Sequence, residues 1–223
     1  MLHHTWRAPA LSFAALAAAP LFGLVSELVV PRDTTNTPAD ELRFVSAHAG
    51  AFLLADLLAI VGAALFVVGL VRLVPAVSGR GRVAVRIGGT MAIAGSLALV
   101  AHPFLLLAIR DLATAENLTA MAQANDAISN GVAAMVILVA RLLAFDLGLV
   151  VLTIGLWRAG ALPVWLAPAG FLALFADFSP SSYNAVLMYA VLAATFVLMA
   201  LRARRTADPV SQPTGEPAAA GTV

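Results

Sequence analysis

Six long apolar runs joined by short connections leave this chain few ways to fold. They cover about 9–30, 44–73, 84–109, 129–157, 161–178 and 183–201. A helix rises about 1.5 Å per residue, so some 20 apolar residues cross the roughly 30 Å hydrocarbon core of a bilayer. Backbone polar groups find no water there, and a helix satisfies them within one segment. The expected fold is all-α, a polytopic membrane bundle of six transmembrane helices occupying residues 1–205. Residues 206–223 hold mostly Pro, Ala, Gly, Ser and Thr with no periodicity, which predicts a disordered cytoplasmic tail. Met1 to Ala19 starts weakly basic and carries small residues at Ala17, Ala18 and Ala19, as a signal peptide would. Pro20 follows and the apolar run continues to Val30, so the segment reads as a retained first helix.

Orientation follows from arginine, because all 13 basic residues are arginine. Arg7 precedes the first run, and Arg72, Arg80, Arg82 and Arg86 flank the connection between the second and third. Arg158 follows the fourth, and Arg202, Arg204 and Arg205 follow the sixth. If these ends are cytoplasmic, every alternate end agrees and both termini lie inside. The remaining connections hold Asp33, Asp40, Glu41, Asp111, Glu116 and Asp126 and face outward. A formal net charge of +1 offers no basic face to nucleic acid. The absence of cysteine removes thiolate nucleophiles, disulfides and cysteine-held clusters.

Arg141 and Asp146 interrupt the fourth run. A charge at that depth normally faces a partner or a water-filled cavity. Counting from the inner arginines, Asp56 lies 16 residues above Arg72, His102 lies 16 above Arg86 and Arg141 lies 17 above Arg158. At helical rise these share one level, roughly 24–26 Å from the inner boundary. Glu27 falls slightly higher, 20 above Arg7; Asp146 and Asp177 fall lower, 12 above Arg158 and 14 above Pro163. The candidate catalytic residues are therefore Asp56, His102, Asp177, Glu27, Arg141 and Asp146, in one polar layer in the outer half. At 100° per residue Asp146 lies about 140° round from Arg141, off its face, so the expected partner of Arg141 is Asp56 or Asp177 across helices. Purely structural pairing is the rival reading. Pro103 predicts a kink beside His102. Phe22, Phe52, Phe104, Phe145, Phe175, Phe178 and Tyr183 share the same half and are either lipid-facing or walls of the pocket. His48 reads as an interfacial histidine.

Other motifs carry less. Asn125-Asp126-Ala127-Ile128-Ser129 has the start of a magnesium motif, but Ala133 stands where its glutamate belongs, and a capped helix start explains it. Glu27, His102 and Asp177 have chemistry that suits zinc without the usual spacing, and no cofactor or metal is called for. Leu65 to Arg72 echoes Val151 to Arg158, which either marks a parallel repeat or reflects the small alphabet of membrane helices. The connection Gly155-Leu156-Trp157-Arg158-Ala159-Gly160-Ala161-Leu162-Pro163-Val164-Trp165-Leu166-Ala167-Pro168-Ala169-Gly170 resembles a turn found in a broad group of uncharacterised bacterial six-helix integral membrane proteins. That resemblance implies a fold and a bacterial inner (plasma) membrane location, and no activity.

A carboxyl group withdrawn from water keeps its proton to higher pH, which suits a general acid. The first expectation is thus a membrane-embedded enzyme doing acid–base chemistry, an isomerisation or cyclisation, on a small lipophilic substrate such as an isoprenoid. Asp56 or Asp177 is its acid, His102 its base, and Arg141 the group holding one carboxylate ionised. The alternatives are a proton-coupled small-molecule transporter, which would use the same residues as a relay, and a non-catalytic accessory subunit whose polar layer locks the helices together.

Overall fold

The computed structural model describes residues 10–31, 37–112, 116–178 and 183–207. Every regular element among them is helical. In order they are α1 (Ala10–Val29), α2 (Pro38–Ala47), α3 (Ala49–Ala76), α4 (Arg82–Leu112), α5 (Leu118–Asn130), α6 (Val132–Ala140), a π-helical turn (Arg141–Asp146), α7 (Leu147–Arg158), a 3-10 turn (Val164–Leu166), α8 (Ala169–Asp177) and α9 (Asn184–Ala207). Residues 208–223 of the expected tail, and Met1 to Pro9, lie outside the described residues.

Among the described residues, five helices are long and apolar enough to cross a membrane: Leu11–Val29, Ala49–Ala76, Arg82–Ala101, Met135–Arg158 and Asn184–Arg202. The run expected at 161–178 is different. Pro163 and Pro168 confine its start to a single 3-10 turn, and α8 is only nine residues long. At α-helical rise, Pro163 to Asp177 would span about 21 Å, short of the core thickness. It nonetheless carries the chain back from the Arg158 end to the level of Arg141. Two connections expected as loops contain helices. Thr37 caps α2 by accepting from the Asp40 amide at 3.2 Å, and α5 precedes a break at Gly131. Asn125 and Asp126 therefore lie inside α5 and do not cap a helix. His48 sits exposed at the α2–α3 junction, its Nδ1 2.9 Å from the Phe44 carbonyl.

Packing closes the long elements into a ring: α1 on α3, α3 on α4, α4 on α7, α7 on α8, α8 on α9 and α9 back on α1. α3 shows why the ring belongs in lipid. Ala55, Gly62, Phe66, Gly69, Leu70 and Leu73 form its buried stripe, whereas Leu53, Leu54, Leu57, Val61, Val68 and Val71 are exposed on the other side. A helix apolar all round matches an apolar solvent. Small residues set the closest contact. A Cβ on Gly88 would lie 2.3 Å from the Leu152 amide nitrogen, and one on Gly148 would lie 2.7 Å from that of Ala92, so α4 and α7 meet backbone to backbone. Inside the ring, Phe66 packs on Phe145 and Phe196 with centroids 5.6 and 5.9 Å apart.

The turn after α7 has a local cause. Gly160 takes φ +78°, the Gly160 amide donates to the Trp157 carbonyl, and the Ala161 amide donates to that of Leu156. This is a Schellman ending with glycine at the left-handed position, followed by the proline that blocks continuation. The Leu65 to Arg72 echo does not extend to element length, since α4 has 31 residues where α8 has nine.

Candidate functional site

Arg141, Asp146 and Asp177 are brought together by a change of helical register. The Leu147 amide donates to the Leu142 carbonyl, five residues back, so the Arg141–Asp146 segment winds as a π-turn. The wider turn swings residues five apart toward one face. Asp146 accordingly lies within Coulombic reach of both Arg141 and Asp177, contrary to the expectation from ideal helical spacing. Turns of this kind are over-represented at functional sites.

Arg141 Nη2 donates to Asp177 Oδ1, an ion pair between the π-turn and the last residue of α8. Of the two expected partners, the structure selects Asp177. The Asp177 side chain is 6% exposed and that of Arg141 is 27% exposed, so the pair is largely withdrawn from solvent. α9 supports it from the other side. Asn184 Nδ2 donates to the Asp177 carbonyl at 2.9 Å, and Met188 Sδ lies 4.0 Å from Arg141 Nη2. Among the described residues, two polar atoms in this layer have no hydrogen-bond partner: Arg141 Nε and Asp146 Oδ2. Asp146 is 2% exposed. A buried carboxyl with an oxygen unmatched is a group held at an energetic cost, and such groups call for an explanation.

Tyr189, one turn along α9 from Asn184, ties α1 to this layer. Its ring fills the space where a Cβ on Gly23 would stand, 2.4 Å from Cε1. Glu27, Arg141, Asp146 and Asp177 all act electrostatically on its hydroxyl. Glu27 is half-buried on α1, and Asp56 half-buried on α3. Beside them Ser26 Oγ donates to the Ala55 carbonyl at 2.8 Å, which sets the two acids at one level on neighbouring helices. His102 lies in α4, which runs on through position 103 to Leu112, but the side chains of His102 and Pro103 lie outside the described residues. The described geometry thus pairs Arg141 with Asp177, sets Asp146 within Coulombic reach of both, and links Glu27 to them through Tyr189.

Below the layer, α1, α3, α4, the π-turn and α9 enclose a cavity of about 40 Å³. Its walls include Gly23, Gly62, Phe66, Ser96, Phe145 and Tyr189. One water requires about 10–15 Å³, so the space takes a few small atoms. Of the aromatic residues expected to wall a pocket, only Phe145 is buried; Phe104, Phe175, Phe178 and Tyr183 are exposed on the outside of the ring. The inner aromatic surface comes from Phe66, Phe196 and Tyr189, which the expected set omitted. Counting 13 and 18 residues back from Arg202 places Tyr189 and Asn184 near the polar layer, a signal open to the same arithmetic that found Arg141.

Among the described residues, no group of three His, Cys, Asp or Glu side chains is arranged to hold a metal ion. Comparison of the chain with protein-family models, with curated proteins and with solved structures found no match.

Proposed function

We propose that this chain is a bacterial inner-membrane protein that crosses the bilayer six times, α8 and its 3-10 turn supplying the fifth passage, with both termini in the cytoplasm. Within the ring, Asp146, Asp177 and Arg141 form an acid–base centre acting on a lipophilic substrate by isomerisation or cyclisation, an isoprenoid chain being the class that suits aromatic walls. The observation that carries this reading is Asp146 Oδ2, buried and unmatched beside an Arg141–Asp177 pair. The guanidinium of Arg141 is committed to Asp177, which leaves Asp146 to give and take the proton. This revises the sequence-based assignment of the acid to Asp56 or Asp177.

The cavity size limits the substrate's placement. At about 40 Å³ the cavity beneath the layer is smaller than a lipid chain, so the body of the substrate lies between helices or in the bilayer. Passing positive charge is favoured by the faces of Phe66, Phe145 and Tyr189. The transporter reading is weaker, because the half of the ring away from the polar layer is where Gly88, Gly148 and Gly155 draw α4 and α7 to backbone contact.

Protonation-initiated isomerisation leaves one solvent hydrogen on carbon. Membranes carrying the protein, incubated in D2O with extracted bacterial lipids, should yield a deuterated lipid species that is missing with Asp146→Asn. Equal labelling by the Asp146→Asn protein would refute the role of Asp146. Absence of any labelled species that depends on the wild-type chain would refute the reaction class.

A further inference from the structure

A ligand-sized groove lies at the opposite end of the ring from the polar layer. It measures about 340 Å³ and is lined by Pro163, Trp165, Leu166, Leu198, Leu201 and Arg202. That falls within the roughly 300–1,000 Å³ of typical small-molecule sites, whereas the central cavity does not. Its walls come from the 3-10 turn and the end of α9. The shape has a local origin: Pro163 and Pro168 replace a regular helical turn with a tight one, so α8 starts late and leaves the last turns of α9 uncovered on that side.

We propose that this groove binds one anionic phospholipid, with an acyl chain along Leu166, Leu198 and Leu201 and the phosphate at Arg202. Charge complementarity selects this occupant. The apolar floor ends at the guanidinium of Arg202. A planar guanidinium is the side chain best matched to a phosphate. Trp165, 63% exposed, stands at the same rim. Tryptophan settles at the headgroup level of a membrane, and a basic side chain at a membrane face attracts acidic lipid heads. Neither the acid–base centre nor any substrate enters into this assignment.

Native mass spectrometry of the full chain in a mild detergent provides the test, titrating phosphatidylglycerol against phosphatidylcholine with the same acyl chains. The wild-type protein should retain one phosphatidylglycerol with about fivefold preference, the weight of one basic side chain at an acidic membrane surface. Arg202→Gln should bring that preference close to unity, and Trp165→Ala should weaken retention of both lipids. Both residues are exposed, so helix content by circular dichroism should be unchanged. Equal retention of the two lipids overturns the proposal, as does a preference that survives Arg202→Gln. A dimer that loses its lipid adducts on assembly would assign the groove to a second copy of the chain and overturn it equally.

Discussion

Removing the arginine of the polar layer should damage the protein far more than removing its partner. Arg141→Leu leaves Asp146 and Asp177, both buried, within Coulombic reach of each other and with no cation between them. Breaking a buried ion pair from one side costs about 3–5 kcal/mol. For a chain of this size that is roughly 6–20 °C in melting temperature, at about 2–4 °C per kcal/mol. Asp177→Asn is milder, because Asp146 lies on the same side of the π-turn and its free Oδ2 can receive the guanidinium. The loss is then one charge-assisted hydrogen bond, about 1.5–3 kcal/mol. Arg141→Leu combined with Asp177→Leu removes one of the two stranded carboxyls and should regain about 2 kcal/mol or more of the single-mutant loss. Thermal unfolding of the four proteins in one detergent, followed by circular dichroism, measures all three effects. Additive losses in the double variant, or Asp177→Asn unfolding as readily as Arg141→Leu, would show that the three side chains do not act as a unit.

Asp146→Leu removes a buried oxygen that has no partner, so it should raise stability by about 1–3 kcal/mol while abolishing solvent-deuterium transfer, a trade expected of a functional group. Gly88→Ala forces a methyl to 2.3 Å from the Leu152 nitrogen and should destabilise by about 1–3 kcal/mol, whereas Gly50→Ala, with open space around it, should be neutral or slightly stabilising in the same melts. Gly160→Ala meets no atom but must hold φ +78°, and should cost about 1–2 kcal/mol from backbone strain alone. At the start of α2, the Thr37 hydroxyl bond, and after it the bond from Arg43, holds the Asp40 carboxyl below its ordinary value of 3.8. A depressed acid contributes stability above its unfolded value and loses it as pH falls through the folded one. Titration of Asp40 by carboxyl-carbon NMR should therefore give a midpoint under 3.8, moving up toward it in Thr37→Ala.

The membrane-crossing helices were legible because twenty apolar residues leave the backbone no alternative in lipid. The fifth run failed as a full helix for a reason also written in the chain, since Pro163 and Pro168 flank its start, yet apolar content alone does not register the missing turns. α2 and α5 were read as loops because they are too polar to cross a membrane. They fold by packing on each other through Leu42 and Ala122, and through an Asn125 Nδ2 bond to Glu41 Oε2 at 3.3 Å. Depth by residue count found the level of Arg141 and Asp177 because a straight helix is a ruler along its axis.

Around the axis the same ruler misled. Ideal spacing turns Asp146 away from Arg141, and nothing in Arg141-Leu142-Leu143-Ala144-Phe145-Asp146 declares that the hydrogen bonds will skip to the fifth residue. Packing supplies the cause that periodicity lacks. A Cβ on Gly95 would lie 2.2 Å from the Phe145 amide nitrogen, so α4 presses on the backbone of the turn at that point. A helix held there against α4, with Arg141 drawn to Asp177 on α8, satisfies both constraints by inserting one residue into its winding. Relieving the second constraint should then relax the register. Arg141→Leu with Asp177→Leu should return the segment to ordinary α-helical bonding, visible as an NMR coupling across the hydrogen bond from the Leu147 amide nitrogen to the Leu143 carbonyl carbon in place of the Leu142 one. A π-turn that persists in that double variant would place its origin in the Gly95–Phe145 contact alone.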